Sequence, residues 1–161
     1  ADHALLSPAM VEHFCAEARK SQSDVVVGLV KAHIVTNAYP DSKRTILKFG
    51  KEGYCGCNLY AFLTPQGRKA AQFWQQMEQN RKKPWRLIRV LGWLPLLRYG
   101  LGRLTLEEAL AQLSQRLEIT IRPVFLPFAE AAIDVDSVSD WKLAEKIIQQ
   151  NTSNKLNGRS S

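Results

Sequence analysis

The sequence contains no long apolar run. No stretch of its 161 residues reaches the roughly 18 uninterrupted apolar residues that a membrane-spanning helix requires. It also opens without the basic and apolar regions of a signal peptide. We therefore expect a cytoplasmic protein, or one whose targeting segment has been removed. Since 45% of the residues are hydrophobic, the chain can bury the core of one domain.

Cysteine is scarce too. The chain has three cysteines, which cannot all pair with one another. Cys55 and Cys57 lie too close together in a strand-like segment to bridge comfortably. Reduced thiols, as in a bacterial cytosol, are the simplest interpretation.

Acidic residues are missing from one long segment. Between Arg81 and Leu104 the sequence has seven basic residues and no acidic one, interleaved with Trp85, Trp93 and Tyr99. The other 15 of the 22 basic residues are balanced by 15 acidic residues. Three explanations stay open. The segment could be a solvated basic helix face, a site for anionic small molecules, or a surface for an anionic membrane or nucleic acid.

The apolar periodicity predicts alternating helices and strands. The β-branched run "DVVVGLVKA" is typical of a strand buried on both faces. The predicted helices are 8–20, 64–81, 105–117 and 138–150, with short helical pieces between 82 and 104; the predicted strands are 24–32, two within 44–63 around the turn "GKEG", 118–127 and 131–136. Residues 1–150 would then form one α/β domain, and the polar residues 151–161 a disordered tail.

Local signals mark several of these boundaries. Ser7 followed by Pro8 is typical of a helix start. Thr105 and Glu108 have the spacing of a capping box. Pro123 predicts an edge position or a bulge for the strand that contains it.

The stretch "AIDVDSVSDWKLAE" groups three acids, Asp134, Asp136 and Asp140. Asp140, with Ser137 as the cap, is explained by a helix start. Asp134 and Asp136 alternate along the predicted strand and would point to the same face. Two carboxylates on one face are unfavourable unless a cation or hydrogen-bond donors lie near them. Mg²⁺, held by carboxylates and substrate phosphates, meets that requirement, and ordinary acids at a strand end are the alternative.

Three segments together resemble a known family. In their order and separation, "ADHALLSPAMVEHF", "CGCNLYAF" and "IDVDSVSDWKLAE" are similar to the later part of MobA-like nucleotidyltransferases, the relatives of molybdenum-cofactor guanylyltransferase and of sugar-nucleotide pyrophosphorylases. The resemblance implies a three-layer α/β fold of the glycosyltransferase-A, Rossmann-like type. It also implies transfer of a nucleoside monophosphate from a nucleoside triphosphate to a phosphorylated small-molecule acceptor, with Mg²⁺ as cofactor and pyrophosphate as the leaving group.

The resemblance assigns roles to particular residues. Asp2 and Asp136 match the catalytic carboxylates that hold Mg²⁺ in the family, and Asp134 would be a partial metal ligand or support them. Gly56 and Asn58 match the segment that lies against the acceptor. Arg44, on the first strand of the predicted hairpin, is a candidate for binding acceptor phosphate; the alternative is that it only keeps an exposed strand soluble.

One part of the family pattern is missing. The glycine-rich loop that wraps the nucleotide phosphates, of the type "LAGGxSxRMG", does not occur in these residues. We therefore expect the carboxyl-terminal portion of a longer domain that lacks its first strands, inactive by itself. Its open sheet edge could pair with a second copy to give a homo-oligomer.

A second hypothesis belongs to another class of protein. The basic aromatic stretch 81–104 could make the chain a non-catalytic binding module for anionic lipid or nucleic acid. Within the nucleotidyltransferase hypothesis, we do not expect nucleic acid to be a partner.

Overall fold

The computed structural model describes residues 3–42, 44–71, 93–135 and 137–157. Within them a four-stranded sheet has the order β2-β3-β1-β4. Its strands are β1 (Val25–Lys31), β2 (Leu47–Phe49), β3 (Glu52–Phe62) and β4 (Ile121–Phe125). The helices are α1 (Pro8–Lys20), α2 (Ala32–Ala38), α3 (65–71), α4 (Trp93–Gly100), α5 (Leu106–Leu117) and α6 (Val138–Asn157), with a 3₁₀ helix at Ala129–Ala132.

The sheet lies between two layers of helices. Alternate residues of β1 point to opposite faces: Val26 and Val30 join a core cluster with α1, whereas Val25 belongs to a cluster packed against α5. β1 pairs antiparallel with β3 and parallel with β4. The α/β fold class is therefore confirmed, and the β-branched run does form the strand that is covered on both sides.

The local boundary signals form as predicted. The Ser7 side chain accepts a hydrogen bond from the Met10 amide at 3.4 Å, with Pro8 as the first helical residue of α1. Thr105 and Glu108 form a reciprocal capping box at the start of α5. Pro123 lies on β4, the last strand of the described sheet, where a missing N–H donor is tolerated.

One prediction near the carboxyl terminus is wrong. Residues 131–136 do not form a strand in the part of the chain that the structure describes: Ala131 N–H donates to Phe128 and Ile133 N–H donates to Glu130, so a 3₁₀ turn uses these donors locally. Whereas disorder over 151–161 stays a prediction, the last helix is assigned as far as Asn157. No proline or glycine interrupts it before Gly158.

Other differences concern element boundaries. Helix α2 was not predicted, and β2 begins only at Leu47, so Arg44 precedes the hairpin strand. The predicted helix 64–81 is observed over 65–71, and its remainder lies outside the described residues, as does the basic stretch up to residue 92. None of the described helices combines the length and apolar composition needed to cross a membrane.

Asp24 joins three elements at one end of β1. Its carboxylate accepts hydrogen bonds from the Thr64 hydroxyl, at the start of α3, and from the Thr120 amide at 2.7 Å, just before β4. Its backbone carbonyl accepts from Leu63 at 2.8 Å. A Cβ on Gly67 would lie 2.3 Å from that same carbonyl oxygen, so only glycine allows α3 to approach so closely. The hydrogen bonds from Thr64 and Thr120 hold the pKa of the Asp24 carboxyl below its usual value.

We therefore expect Asp24→Asn to destabilise the protein in a pH-dependent way. Because the folded-state pKa lies below the unfolded one, the carboxylate stabilises the fold above about pH 4, and this contribution disappears as the pH falls further. The variant should lose about 1 kcal/mol of unfolding free energy at neutral pH and less near about pH 2. Urea titrations at both pH values measure the difference. Asp41→Asn, the same change at an exposed position, is the control. A difference that grows in acid would contradict the assignment.

Candidate active site

A strained bulge on β3 lies at the centre of the site. The pairing of β1 with β3 shifts register between Val27 and Leu29, so that extra β3 residues stand opposite Gly28. Asn58 lies in this bulge with φ of 52°, a left-handed conformation that few residues other than glycine adopt and that asparagine tolerates best. Gly28 leaves space for the bulge, because a Cβ at position 28 would lie only 3.0 Å from the Cβ of Leu59. A strained backbone inside a strand motivates a functional hypothesis.

Arg44 connects two of the three clustered acids. Its guanidinium donates to the carboxylates of Asp134 and Asp140, and also to the backbone carbonyl of Asp134 at 3.1 Å. The Arg44 side chain is only 9% exposed. Asp134 and Asp140 are therefore neutralised by an arginine of the same chain. We call these three residues the acid–arginine triad.

Asp140 has a second function at the start of α6. The Ser137 hydroxyl donates to its carboxylate at 2.6 Å, and the Asp140 amide donates to the Ser137 oxygen at 3.3 Å. The predicted helix start is confirmed. The expectation that Asp140 serves mainly the helix start needs correction, because the same carboxylate also binds Arg44.

Three distant segments meet at residues 56–58 of β3. The His3 Nε2 atom lies 2.7 Å from the Cys57 carbonyl oxygen, which brings the beginning of the chain to the bulge. The Asn58 amide nitrogen lies 3.5 Å from a carboxylate oxygen of Asp134. Nothing would lie within 4 Å of a Cβ on Gly56. The bulge thus contacts His3 through the Cys57 carbonyl and the triad through Asn58.

The structure leaves some predicted site residues untested. Asp2 and Asp136 lie outside the described residues, whereas Asp134, Gly56, Asn58 and Arg44 are described. Asp134 and Asp136 were expected to share a strand face; without that strand, the alternation no longer supports this expectation. Among the described residues, no group of three or more His, Cys, Asp or Glu side chains could hold a metal ion.

The buried thiols beside the site are poor nucleophiles and poor metal ligands. Burial raises the pKa of the Cys57 thiol to about 12 and also raises the pKa of the Cys55 thiol. Both therefore stay protonated near neutral pH, whereas thiolates are the forms that attack and bind metals. The site chemistry rests on oxygen and nitrogen groups.

The interactions of Arg44 could not be read from sequence. Its partners lie 90 and 96 residues further along the chain, and no local spacing relates them. The prediction that Arg44 lies on a strand is wrong, since β2 begins three residues later. The contact of His3 with the bulge is equally non-local.

A structure of a hypothetical transferase from Thermus thermophilus is similar to this chain. The two share 29% sequence identity with a TM-score of 0.76, over 86% of this chain and 59% of the other. This chain thus spans 59% of the length of that transferase chain. No protein-family model and no curated protein matches the sequence. The fold is therefore shared with a hypothetical transferase.

Removing the arginine should destabilise the fold. Arg44→Met leaves two carboxylates facing each other without their buried cation, so we expect a loss of about 2–4 kcal/mol in the free energy of unfolding, measured by urea titration. Lys20→Met is the control, because the Lys20–Glu17 pair is exposed and its loss should change stability little.

A combined variant separates charge from packing. Arg44→Met with Asp134→Asn and Asp140→Asn removes the unpaired charges and should recover part of the stability. A triple variant less stable than Arg44→Met would contradict the electrostatic role of the triad.

Proposed function

We propose that the protein is a transferase of the nucleotidyl class. In the complete protein it would transfer a nucleoside monophosphate from a nucleoside triphosphate to a phosphorylated acceptor and release pyrophosphate. The likeness in fold to a hypothetical transferase supports the general class. The more specific reaction rests on the site.

The observation that carries the proposal is the meeting of three segments at β3. The segments "ADHALL", "CGCNLYAF" and "IDVDSVSDW" are those that resemble the MobA-like nucleotidyltransferases. His3 of the first lies 2.7 Å from the Cys57 carbonyl, and Asp134 of the third contacts Asn58. Segments so far apart in sequence come together at one bulge, as a shared site requires.

The surroundings of Asp134 support the proposal of a hard cation. One carboxylate oxygen of Asp134 binds Arg44, the other lies 3.5 Å from the Asn58 amide nitrogen, and the side chain is 29% exposed. Carboxylate oxygens are the ligands that Mg²⁺ prefers, and the nearby thiols are protonated. In this proposal Asp2 and Asp136 hold Mg²⁺, and Arg44 fixes Asp134 beside them as a partial ligand or support. When bound, the ion would neutralise charge on the phosphate oxygens.

The chain itself contributes binding and positioning. An acceptor phosphate is already anionic at neutral pH, so its attack on the α-phosphorus needs little help from a base. The Asn58 amide, which lies 3.5 Å from an Asp134 carboxylate oxygen, is the proposed hydrogen-bond donor to the acceptor. Arg44 is occupied by two carboxylates, so we assign it to positioning rather than to the acceptor phosphate.

Asn58→Gly tests the amide without disturbing the backbone. Glycine adopts the left-handed conformation freely, so the bulge should persist while the donor is lost. We expect kcat/KM for the acceptor to fall by about tenfold or more, the scale of one lost hydrogen bond to a charged group. Glu118→Gly is the matched control, since Glu118 also has positive φ but ends α5 instead. Equal activity of both variants would remove Asn58 from the site.

Asp136→Asn tests the metal assignment. Losing one preorganised charge-stabilising group should lower kcat for Mg²⁺-dependent pyrophosphate release by at least about 10²-fold. The change is nearly isosteric, so the thermal midpoint should stay close to that of the wild type. Asp41→Asn, at an exposed position, is the control for the chemical change. Full activity of Asp136→Asn, or a loss explained by unfolding, would refute the assignment.

A further inference from the structure

An apolar cavity of about 220 Å³ lies between the sheet and α5. Its walls come from β1, β2 and β3 on the sheet, from α3, and from α5 and the start of β4. Among the described residues that line it, only Tyr54 and Tyr60 carry a polar side-chain atom, and none is charged. The cavity is thus a space between two layers of the fold with very few groups that can form hydrogen bonds.

The apolar core on this side of the sheet is divided in two. One buried cluster includes Leu106 at the start of α5, and the other includes Ile119 just after its end. Leu110 and Leu113, between these two positions, are only partly buried and line the cavity. Helix α5 therefore packs closely on the sheet at its two ends and leaves a gap under its middle.

Both ends of α5 are held in place by specific contacts. Near its end, the Ser114 hydroxyl accepts a hydrogen bond from the Ile121 amide of β4 at 3.0 Å. Near its start, Leu106 belongs to the same cluster as Tyr54, whose ring stacks on Phe125 with ring centroids 5.7 Å apart. The gap under the middle of the helix is therefore part of the fold.

We propose that this cavity binds an unbranched alkyl chain of about eight carbons. Its volume holds about seven or eight methylene groups, if each takes up roughly the 30 Å³ that a water molecule occupies in the liquid. Water itself is unsuited to the cavity, because a buried water needs about three polar partners. A peptide segment would bring backbone N–H and C=O groups that the walls do not pair. An alkyl chain has no such groups, and it bends to follow the uneven layer between a twisted sheet and a helix, as a rigid ring does not.

The cavity reaches the surface at β2 and β3. Leu47 and Tyr60, which line it, are 40% and 43% exposed. The polar head of an amphiphile can therefore stay in water beside these residues while its chain is buried. Binding of this kind is independent of the proposed nucleotidyl transfer.

Calorimetric titration of the protein with unbranched alcohols tests the cavity. We expect the affinity to rise about fourfold with each methylene from n-butanol to n-octanol, because each buried methylene adds a similar free energy. The rise should stop beyond about eight carbons, when the cavity is full. Cyclohexylethanol, a rigid alcohol with as many carbons as n-octanol, should bind more weakly than its lower partitioning into an apolar solvent explains.

Two variants fill the cavity from different walls. Val27→Phe places a ring in it from β1, and Ala70→Leu places a larger side chain in it from α3. Each should lower the affinity for n-octanol at least about tenfold, the contribution of two displaced methylenes, without lowering the thermal midpoint. A folding defect in one variant would leave the other as the test. Val138→Phe is the matched control, because Val138 is 70% exposed on α6 and does not line the cavity.

The absence of n-octanol binding would overturn the proposal. So would an affinity that keeps rising to n-decanol, binding of cyclohexylethanol as tight as that of n-octanol, or unchanged binding in a folded filling variant. An equal loss in Val138→Phe would place the binding outside this cavity.

Discussion

The buried guanidinium of Arg44 is the constraint on which the carboxyl-terminal part of the structure depends. A charge with 9% exposure is tolerated only if opposite charges and hydrogen bonds replace the water it loses. Asp134 and Asp140 supply both to the two terminal nitrogens, from the loop after the 3₁₀ helix and from the first turn of α6, whereas the buried Nε has no partner among the described residues. Without the arginine, both carboxylates would lose the counter-charge that they share. One cation therefore fixes the loop before β2, the loop after the 3₁₀ helix and the start of α6 relative to one another.

The triad also sets the electrostatics of the site. Two carboxylates and one guanidinium leave one formal negative charge beside the Asn58 bulge. An anionic substrate would be repelled by that charge alone, so phosphate chemistry here requires a further cation. The proposed Mg²⁺ would supply that cation, and Arg44 keeps its proposed role in positioning Asp134. The acids grouped in "AIDVDSVSDWKLAE" thus serve two purposes: Asp134 and Asp140 hold an arginine, and Asp136 remains the candidate for the metal.

Features that depend on interactions between residues close in sequence could be predicted from the sequence. The Ser7 cap and the box of Thr105 and Glu108 join groups three residues apart, and each formed as expected. The edge position of Pro123 follows from its missing N–H, whatever the neighbouring strands are. The prediction of a strand at 131–136 is wrong. A few residues of this kind can form either a strand or a tight 3₁₀ turn, and only their hydrogen bonds distinguish the two.

The sequence by itself determined the α/β class, most helix starts and the presence of an acid cluster, because these depend on side-chain periodicity and on backbone donors close in the chain. Tertiary structure alone decided that Arg44 would neutralise acids 90 and 96 residues away. It also decided that Asn58 would adopt a left-handed conformation over Gly28, and that His3 would reach the Cys57 carbonyl. The physical reason is the same in each case. Sheet register and packing bring these groups together, and register and packing leave no pattern at a fixed spacing along the chain.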